Sequence, residues 1–101
     1  MGNSYKRISS VKKAFKILEF LSEQDGPVTE GEIIRALSLR RATLKSYLAT
    51  LMDERFIAQV GDKYELGPQF PEIWARYRKK LQAKINEKGS ELDNLEVPDV
   101  R

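Results

Sequence analysis

The sequence over residues 37–52 reads LSLRRATLKSYLATLM and has the periodicity of an amphipathic helix. At 3.6 residues per turn, one face gathers the apolar positions Leu44, Tyr47, Leu48 and Leu51. The opposite face carries Ala42, Ser46, Ala49 and Asp53, most of which are small. Positive charge surrounds the first turns, at Arg40, Arg41 and Lys45. One face therefore suits a core, and the other allows close approach by a surface such as a DNA groove.

A shorter helix is predicted immediately before this segment. Thr29 and Glu32 have the spacing of a capping box, in which each side chain accepts a hydrogen bond from the other residue's backbone N–H. The buried side of this helix is Ile33, Ile34 and Leu37. A turn through Ser38 and Leu39 leads into the basic start of the next helix. Short helix, tight turn and second helix are the order of a helix-turn-helix motif.

The residues after the helix pair predict a β-hairpin. Residues 56–60 and 63–66 are rich in aromatic and branched side chains, and Gly61-Asp62 between them is a two-residue turn whose glycine tolerates positive φ. Val28, ahead of the helix pair, is expected to make a brief extended pairing. A hairpin directly after the second helix is the wing of a winged helix-turn-helix.

A first helix is predicted from an N-cap at Ser10 to the Asp25-Gly26-Pro27 segment, with Gly26 supplying the positive φ of a C-terminal cap. Its expected apolar stripe is Val11, Ala14, Phe15, Leu18 and Leu21. Its expected polar stripe is Lys12, Lys16, Glu19 and Glu23.

The last predicted helix runs from about Pro71 to Lys88, before Gly89. Its apolar positions, three or four residues apart, are Phe70, Ile73, Trp74, Tyr77, Leu81 and Ile85. The opposite surface carries Arg76, Arg78, Lys79, Lys80 and Lys84. About 18 residues at 1.5 Å each span about 27 Å, the width of a small domain, so its far half needs further contacts. The same helix of a second copy is favoured; packing along the monomer and a membrane-surface helix are the alternatives.

The composition favours binding over catalysis. The chain has 101 residues, enough for one domain, and contains neither cysteine nor histidine, which excludes disulfides, thiolate metal sites and the commonest general base. Its acids are scattered singly along polar faces, where solvated surface charge is the ordinary interpretation. We therefore expect no catalytic residue, no metal site and no cofactor.

The uneven distribution of charge along the chain points towards a nucleic acid as partner. Residues 1–88 hold 17 Lys and Arg against 11 Asp and Glu, a net charge of +6, whereas residues 89–101 hold one against four, a net charge of −3. Residues 1–9 are expected to form a flexible basic arm and residues 89–101 a flexible acidic tail. No apolar run reaches the about 20 residues that span a bilayer, and no signal sequence is evident. A cytoplasmic, nucleoid-associated location is expected.

These segments resemble the amino-terminal domain of the IclR family of transcription regulators. The resemblance covers about residues 10–80, and its most specific parts are Leu48-Ala49-Thr50-Leu51 and the Tyr64-Glu65-Leu66-Gly67-Pro68 exit of the hairpin. It implies a mainly α fold with a small β-hairpin, a winged helix-turn-helix followed by a long carboxy-terminal helix. The expected divisions are a winged helix-turn-helix at residues 10–67 and a linker or dimerisation helix at residues 68–88.

The sequence departs from the family pattern in three places. Family members usually continue into an effector-binding domain, and the chain ends where that domain would begin, so no small-molecule effector is expected. The family turn often has glycine where Ser38 stands, and proline-lysine-serine where Arg40-Arg41-Ala42 stand. The family wing tends to be basic, whereas only Lys63 remains near this tip.

The resemblance implies double-stranded DNA as partner and residues 40–46 in its major groove. By side-chain chemistry, Arg41 and Lys45 are candidates for guanine and Ala42 for a thymine methyl group. Candidates for phosphates or flexible base contacts are Arg40, Thr43 and Ser46, with Lys63 on the DNA backbone. A sequence-specific regulator acting as a homodimer is the first hypothesis. A winged-helix module that binds protein, and an architectural DNA-binding protein without sequence preference, are the alternatives.

Overall fold

The computed structural model describes residues 5–88, with the side chains of residues 5–87. The chain divides into two compact units between Gln69 and Phe70. The helices and strands, in chain order, are α1 (Ser9–Ser22), β1 (Val28–Thr29), α2 (Glu30–Leu37), α3 (Arg41–Asp53), β2 (Ile57–Val60), β3 (Lys63–Leu66) and α4 (Gln69–Lys88). This order confirms the predicted fold class. The predicted tail, residues 89–101, and the first four residues of the predicted arm lie outside the described residues.

The predicted caps of α1 are both wrong. The N-cap position is Ile8, which has an extended backbone and no side-chain capping bond, and Ser10 lies inside the helix. At the other end the helix stops at Ser22, because the N–H of Glu23 turns to the carbonyl of Phe20 at 3.1 Å. Such 3₁₀-type hydrogen bonds, from an N–H to the carbonyl three residues earlier, satisfy the last carbonyls of a helix without a residue in the left-handed conformation. Gly26 accordingly has no positive φ.

The apolar stripe predicted for α1 is only partly correct. Val11 and Phe15 are 48% and 60% exposed, whereas Ile17, which the predicted stripe omitted, is completely buried. The buried residues all come from the second half of α1, which contains Ile17, Leu18 and Leu21. Because several faces of this helix contain apolar residues, periodicity alone could not identify the one that meets α2 and β3.

The predicted start of α2 is confirmed in detail. Thr29 Oγ1 accepts a hydrogen bond from the backbone N–H of Glu32 at 3.2 Å, and Glu32 Oε1 accepts one from the backbone N–H of Thr29 at 2.8 Å. The bond from the Thr29 N–H is the main reason why the pKa of Glu32 lies below its ordinary value. The helix start is therefore fixed by its own side chains.

Ser38 ends α2 in the left-handed conformation, with φ 55° and ψ 46°. Its N–H donates to the carbonyl of Ile34, and this reversal turns the chain into α3. A residue with a Cβ atom pays for this conformation with about 1–2 kcal/mol, whereas glycine adopts it freely. The turn of the motif is therefore strained at the position where the family often has glycine.

Replacing Ser38 with glycine should raise the free energy of unfolding by about 0.5–1 kcal/mol, the relieved strain less glycine's larger unfolded-state entropy. Urea denaturation of the wild type and Ser38→Gly would measure this gain. Ser38→Ala keeps the left-handed strain and serves as the control. Equal stability of the two variants would show that the turn stores no such strain.

The core of the first unit lies between α1, α2, α3 and the sheet. Its largest fully buried side chains are Ile17, Ile33, Leu44 and Leu48. The predicted inner face of α3 is confirmed, since Leu44 and Leu48 are buried and Tyr47 and Leu51 are half-buried. The predicted outer face is confirmed too, since Ala42, Ser46, Ala49 and Asp53 are exposed.

The sheet has three antiparallel strands in the order β1, β3, β2. Val28 pairs with Tyr64, which confirms the brief pairing predicted at Val28. Gly61 has φ 65° in the turn between β2 and β3, as the hairpin required. Phe56, predicted to begin the first hairpin strand, lies just before it. Because β1 pairs with β3 and directly precedes α2, it connects the hairpin to the start of α2.

The helix α4 begins two residues before the predicted Pro71 and has 20 residues. Pro71 is its third residue, where a missing N–H costs no internal hydrogen bond. Trp74 and Tyr77 pack with their ring centroids 6.1 Å apart, and both remain exposed, as does Ile73. The predicted basic positions Arg76, Arg78, Lys79, Lys80 and Lys84 are all exposed.

Candidate nucleic-acid interface

The candidate residues of the helix-turn-helix all lie at the beginning of α3. Arg40 is the N-cap residue, with an extended backbone, and residues 41–46 form the first turns. Thr43 is half-buried, and the exposed members are Arg40, Arg41, Ala42, Lys45 and Ser46. Their positions follow from the packing of Leu44 and Leu48 in the core, which turns the remaining faces of α3 towards solvent. Cationic and small side chains thus share one accessible end of the helix.

An acidic residue of α2 holds two of these cations. Arg41 Nη1 lies 2.8 Å from Glu30 Oε1, and Lys45 Nζ lies 3.0 Å from Glu30 Oε2. Arg41 and Lys45 are four residues apart on α3, so they lie on the same side of the helix. Hydrogen bonds from Lys45 and then Arg41 lower the pKa of Glu30, although its partial burial opposes them. The carboxylate is consequently charged at neutral pH.

Sequence reasoning missed the part that Glu30 plays in this cluster. The capping-box pattern singled out Thr29 and Glu32 but not Glu30, and Arg41 and Lys45 were predicted only to contact DNA. The pairs join residues 11 and 15 positions apart in the chain, across the turn of the motif. Such contacts depend on how α2 and α3 cross, which helical periodicity does not specify. Two cations spaced four residues apart after an acidic helix start were the available signal.

A basic groove of about 720 Å³ opens along the turn of the motif. Its walls come from α1, the end of α2 and the beginning of α3, and its charged side chains are Lys13, Lys16 and Arg40. Among the described residues that line it, none is acidic. Lys16 was predicted only to lie on the polar face of α1, and no pattern in the sequence singled out Lys13. The groove extends positive charge from the start of α3 along the turn.

Lys63 lies on the wing, apart from the α3 cluster in sequence but close to α2 in the fold. It is exposed, and it pairs across the sheet with Thr29 on one side and Val60 on the other. The neighbouring pair Gln59 and Tyr64 is joined through a 3.4 Å contact between Gln59 Nε2 and the Tyr64 hydroxyl. The wing therefore presents one cation beside the capping box.

Within residues 5–88 there is no group of three or more acidic side chains, or other potential ligands, that could hold a metal ion. Over the same residues no helix is long and apolar enough to cross a bilayer.

A helix-turn-helix followed by a hairpin wing defines the winged helix-turn-helix class. The chain belongs to the IclR helix-turn-helix domain family, whose model matches residues 10–61. This is a family of DNA-binding domains of transcription regulators and not of enzymes. The resemblance seen in the sequence is thereby confirmed.

Individual relatives agree with this assignment. A probable HTH-type transcriptional regulator ArcR of Halobacterium salinarum is 38% identical over 66 residues, which are 64% of this chain and 25% of that protein. The crystal structure of an IclR transcriptional regulator from Alicyclobacillus acidocaldarius matches with a TM-score of 0.67 and 29% identity, over 71% of this chain and 30% of the other.

A more distant structure shares the fold alone. HmgR of Pseudomonas aeruginosa matches with a TM-score of 0.65 at 17% identity, over 87% of this chain and 38% of its own. The chain thus spans a quarter of the length of ArcR and 30–38% of these two solved chains.

Proposed function

We propose that this chain binds double-stranded DNA sequence-specifically and regulates transcription as a homodimer. The observation that carries the proposal is the exposed beginning of α3, where Arg41 and Lys45 are next to the small residues Ala42 and Ser46 in the sequence. A major groove about 12 Å wide admits one helix, and small side chains let its backbone approach the bases. Membership of a family of DNA-binding domains supports the same function.

Each candidate residue has a distinct role in this proposal. Arg41 and Lys45 donate to guanine O6 and N7, and the methyl group of Ala42 contacts a thymine methyl. Thr43, Ser46 and Arg40 make phosphate or adaptable base contacts. The small face of α3 offers few base-reading side chains, so specificity depends mainly on Arg41, Lys45 and duplication of the site in a dimer.

Two further groups of cations are proposed to follow the DNA backbone. Lys13 and Lys16 line the basic groove together with Arg40, and Lys63 stands on the wing. Contacts of this kind fix the register of the protein on the duplex without reading its sequence. The single cation of the wing makes a smaller contribution than a basic wing would.

Selection from a random duplex pool would test the proposed function. Recovery of a defined motif would support sequence-specific binding, and measured affinity for that motif should fall steeply with salt, since even about four phosphate contacts give a log–log slope near −3.6. A recovered pool without a motif would instead assign an architectural role, which the basic face of α4 favours. No recovery at low salt would contradict DNA binding and favour the protein-binding module.

The homodimer is proposed to form through the apolar positions of α4. These positions are Phe70, Ile73, Trp74, Tyr77, Leu81 and Ile85, which are exposed or half-buried in the single chain. At 1.5 Å per residue the 20-residue helix is about 30 Å long, enough for several turns of contact with a second copy. A second exposed apolar face, formed by the N-cap residue Ile8 and by Val11 and Phe15 of α1, is the competing interface.

Light scattering at micromolar concentration should give a dimeric mass for the wild type and a monomeric mass for Leu81→Glu, because a charge would be buried at the helix contact. Lys80→Glu places the same charge on the basic face and should leave the dimer intact. A monomer produced by Phe15→Glu and not by Leu81→Glu would move the interface to α1. A dimeric wild type also predicts an inverted repeat with half-sites about one helical turn apart, or a multiple of it.

A further inference from the structure

Glu30 is the only acidic side chain in the described residues for which salt bridges to α3 are found, and it pairs with both proposed guanine readers. Its side chain is 17% exposed, whereas those of Arg41 and Lys45 are 59% and 60% exposed. The carboxylate is thus held against the protein, and the two cations reach back to it from the solvent side. The cluster is a preformed set of charges before any DNA is bound.

A carboxylate offers these cations the same chemistry as DNA does. Its two oxygens accept from Arg and Lys as phosphate oxygens or guanine O6 and N7 would. A phosphate that attracts Lys45 must therefore compete with an existing bond of 3.0 Å to Glu30 Oε2. An arginine has five N–H donors, so Arg41 can keep its Nη1 bond to Glu30 and still present other donors to a base.

We propose that Glu30 is a specificity-determining positioning residue, which restrains Arg41 and Lys45 from binding phosphates indiscriminately and presents them to a correctly placed guanine. On random DNA, a contact between one of these cations and a phosphate replaces its salt bridge to Glu30. The free energy of binding that such a contact adds is therefore small. On the correct sequence, the groove supplies acceptors in the geometry that the restrained side chains already have. This inference rests on the DNA-binding function proposed above.

Glu30→Gln removes the negative charge while keeping the size of the side chain. We expect binding to a scrambled duplex to become about five- to ten-fold tighter, and its log–log salt slope to steepen by about one to two, as two released cations reach phosphates. Binding to the selected motif should change less, so the ratio of specific to non-specific affinity should fall. Titrations of both duplexes across a salt series would measure these quantities.

Glu23→Gln is the matched control, because it makes the same charge change at an exposed residue at the end of α1. It should leave the specificity ratio unchanged. Lys45→Ala provides a second measurement, because it removes one of the two cations that Glu30→Gln releases. In the Lys45→Ala variant, Glu30→Gln should therefore steepen the log–log salt slope by about one less than it does in the wild type. This difference would not arise if Glu30 merely stabilised the start of α2.

The outcomes separate the inference from the function on which it rests. An unchanged specificity ratio and salt slope in Glu30→Gln, with a wild type that selects a motif, would overturn the role of Glu30 alone. Loss of specific affinity without any gain on scrambled DNA would also overturn the restraint. A wild type without salt-dependent DNA binding would instead contradict the proposed function.

Discussion

Gly67→Ala should lower the free energy of unfolding by about 2–3 kcal/mol, because an added Cβ atom would overlap backbone that has no room to move. A Cβ built on Gly67 would lie 2.5 Å from the carbonyl oxygen of Arg55 and 3.0 Å from the backbone nitrogen of Ile57. The same backbone is held by hydrogen bonds from the Gly67 N–H to Phe56 O at 2.8 Å and from the Gln69 N–H to Arg55 O at 2.9 Å. Relief of the overlap would break the junction between the wing and the end of α3.

Thermal denaturation followed by far-UV circular dichroism would test this expectation, which corresponds to a fall in Tm of about 10–20 °C for a domain of this size. Gly26→Ala is the matched control, since a Cβ at Gly26 meets nothing within 4 Å and its φ is not positive. That variant should melt within a few degrees of the wild type or slightly above it. An equal Tm for Gly67→Ala and Gly26→Ala would show that the backbone at Gly67 can move away from Arg55 and Ile57 without loss of stability.

Gly67 also shows what the sequence did and did not predict. The segment Tyr64-Glu65-Leu66-Gly67-Pro68 was identified as the hairpin exit, and β3 ends at Leu66 as expected. The reason for the glycine, however, is a close approach between two backbone segments separated by about ten residues. A local sequence pattern does not specify the distance between two such segments. The hairpin exit could therefore be predicted, but the reason for a glycine at position 67 could not.

Local chemistry explains the elements that were predicted well. The capping box of Thr29 and Glu32 and the turn glycine Gly61 each depend on atoms within a few residues, and both occur as predicted. The outer face of α3 was also identified, because periodicity determines which residues lie opposite a buried leucine.

The errors concern packing between elements. Both Val11 and Ile17 are compatible with an apolar face on α1, and only the position of α2 and β3 decides that Ile17 is buried. The same limitation concealed the contacts of Glu30, since the carboxylate and its two cations come from different helices. The candidate site residues themselves remain predictions, because their contact with DNA depends on a partner.

Arg41→Ala should weaken binding to the selected motif by about 1–3 kcal/mol, or about 5- to 150-fold, and relax the preference at one base pair. The physical reason is the loss of a donor pair matched to guanine O6 and N7. Binding to scrambled DNA should weaken less, because there Arg41 contributes only charge. Titrations on the motif, on its single-base variants and on a scrambled duplex would measure both effects.

Lys63→Ala provides the contrast, because a contact with the DNA backbone carries no sequence information. It should weaken binding to all duplexes alike and reduce the magnitude of the salt slope by about one. An equal loss for Arg41→Ala on motif and scrambled DNA would remove Arg41 from the list of base readers.

The salt bridge to Glu30 offers a second explanation for a loss of affinity in Arg41→Ala, which the experiment must distinguish from the loss of a base contact. Removal of Arg41 leaves the Glu30 carboxylate with one cation instead of two, so the variant would lose affinity through added repulsion of DNA even if Arg41 touched no base. The double variant Glu30→Gln/Arg41→Ala distinguishes the two causes. If Arg41 reads a base, its removal still relaxes the base preference when Glu30 is neutral; if it contributes only charge, Arg41→Ala in that background weakens binding to all duplexes alike and leaves the base preference unchanged.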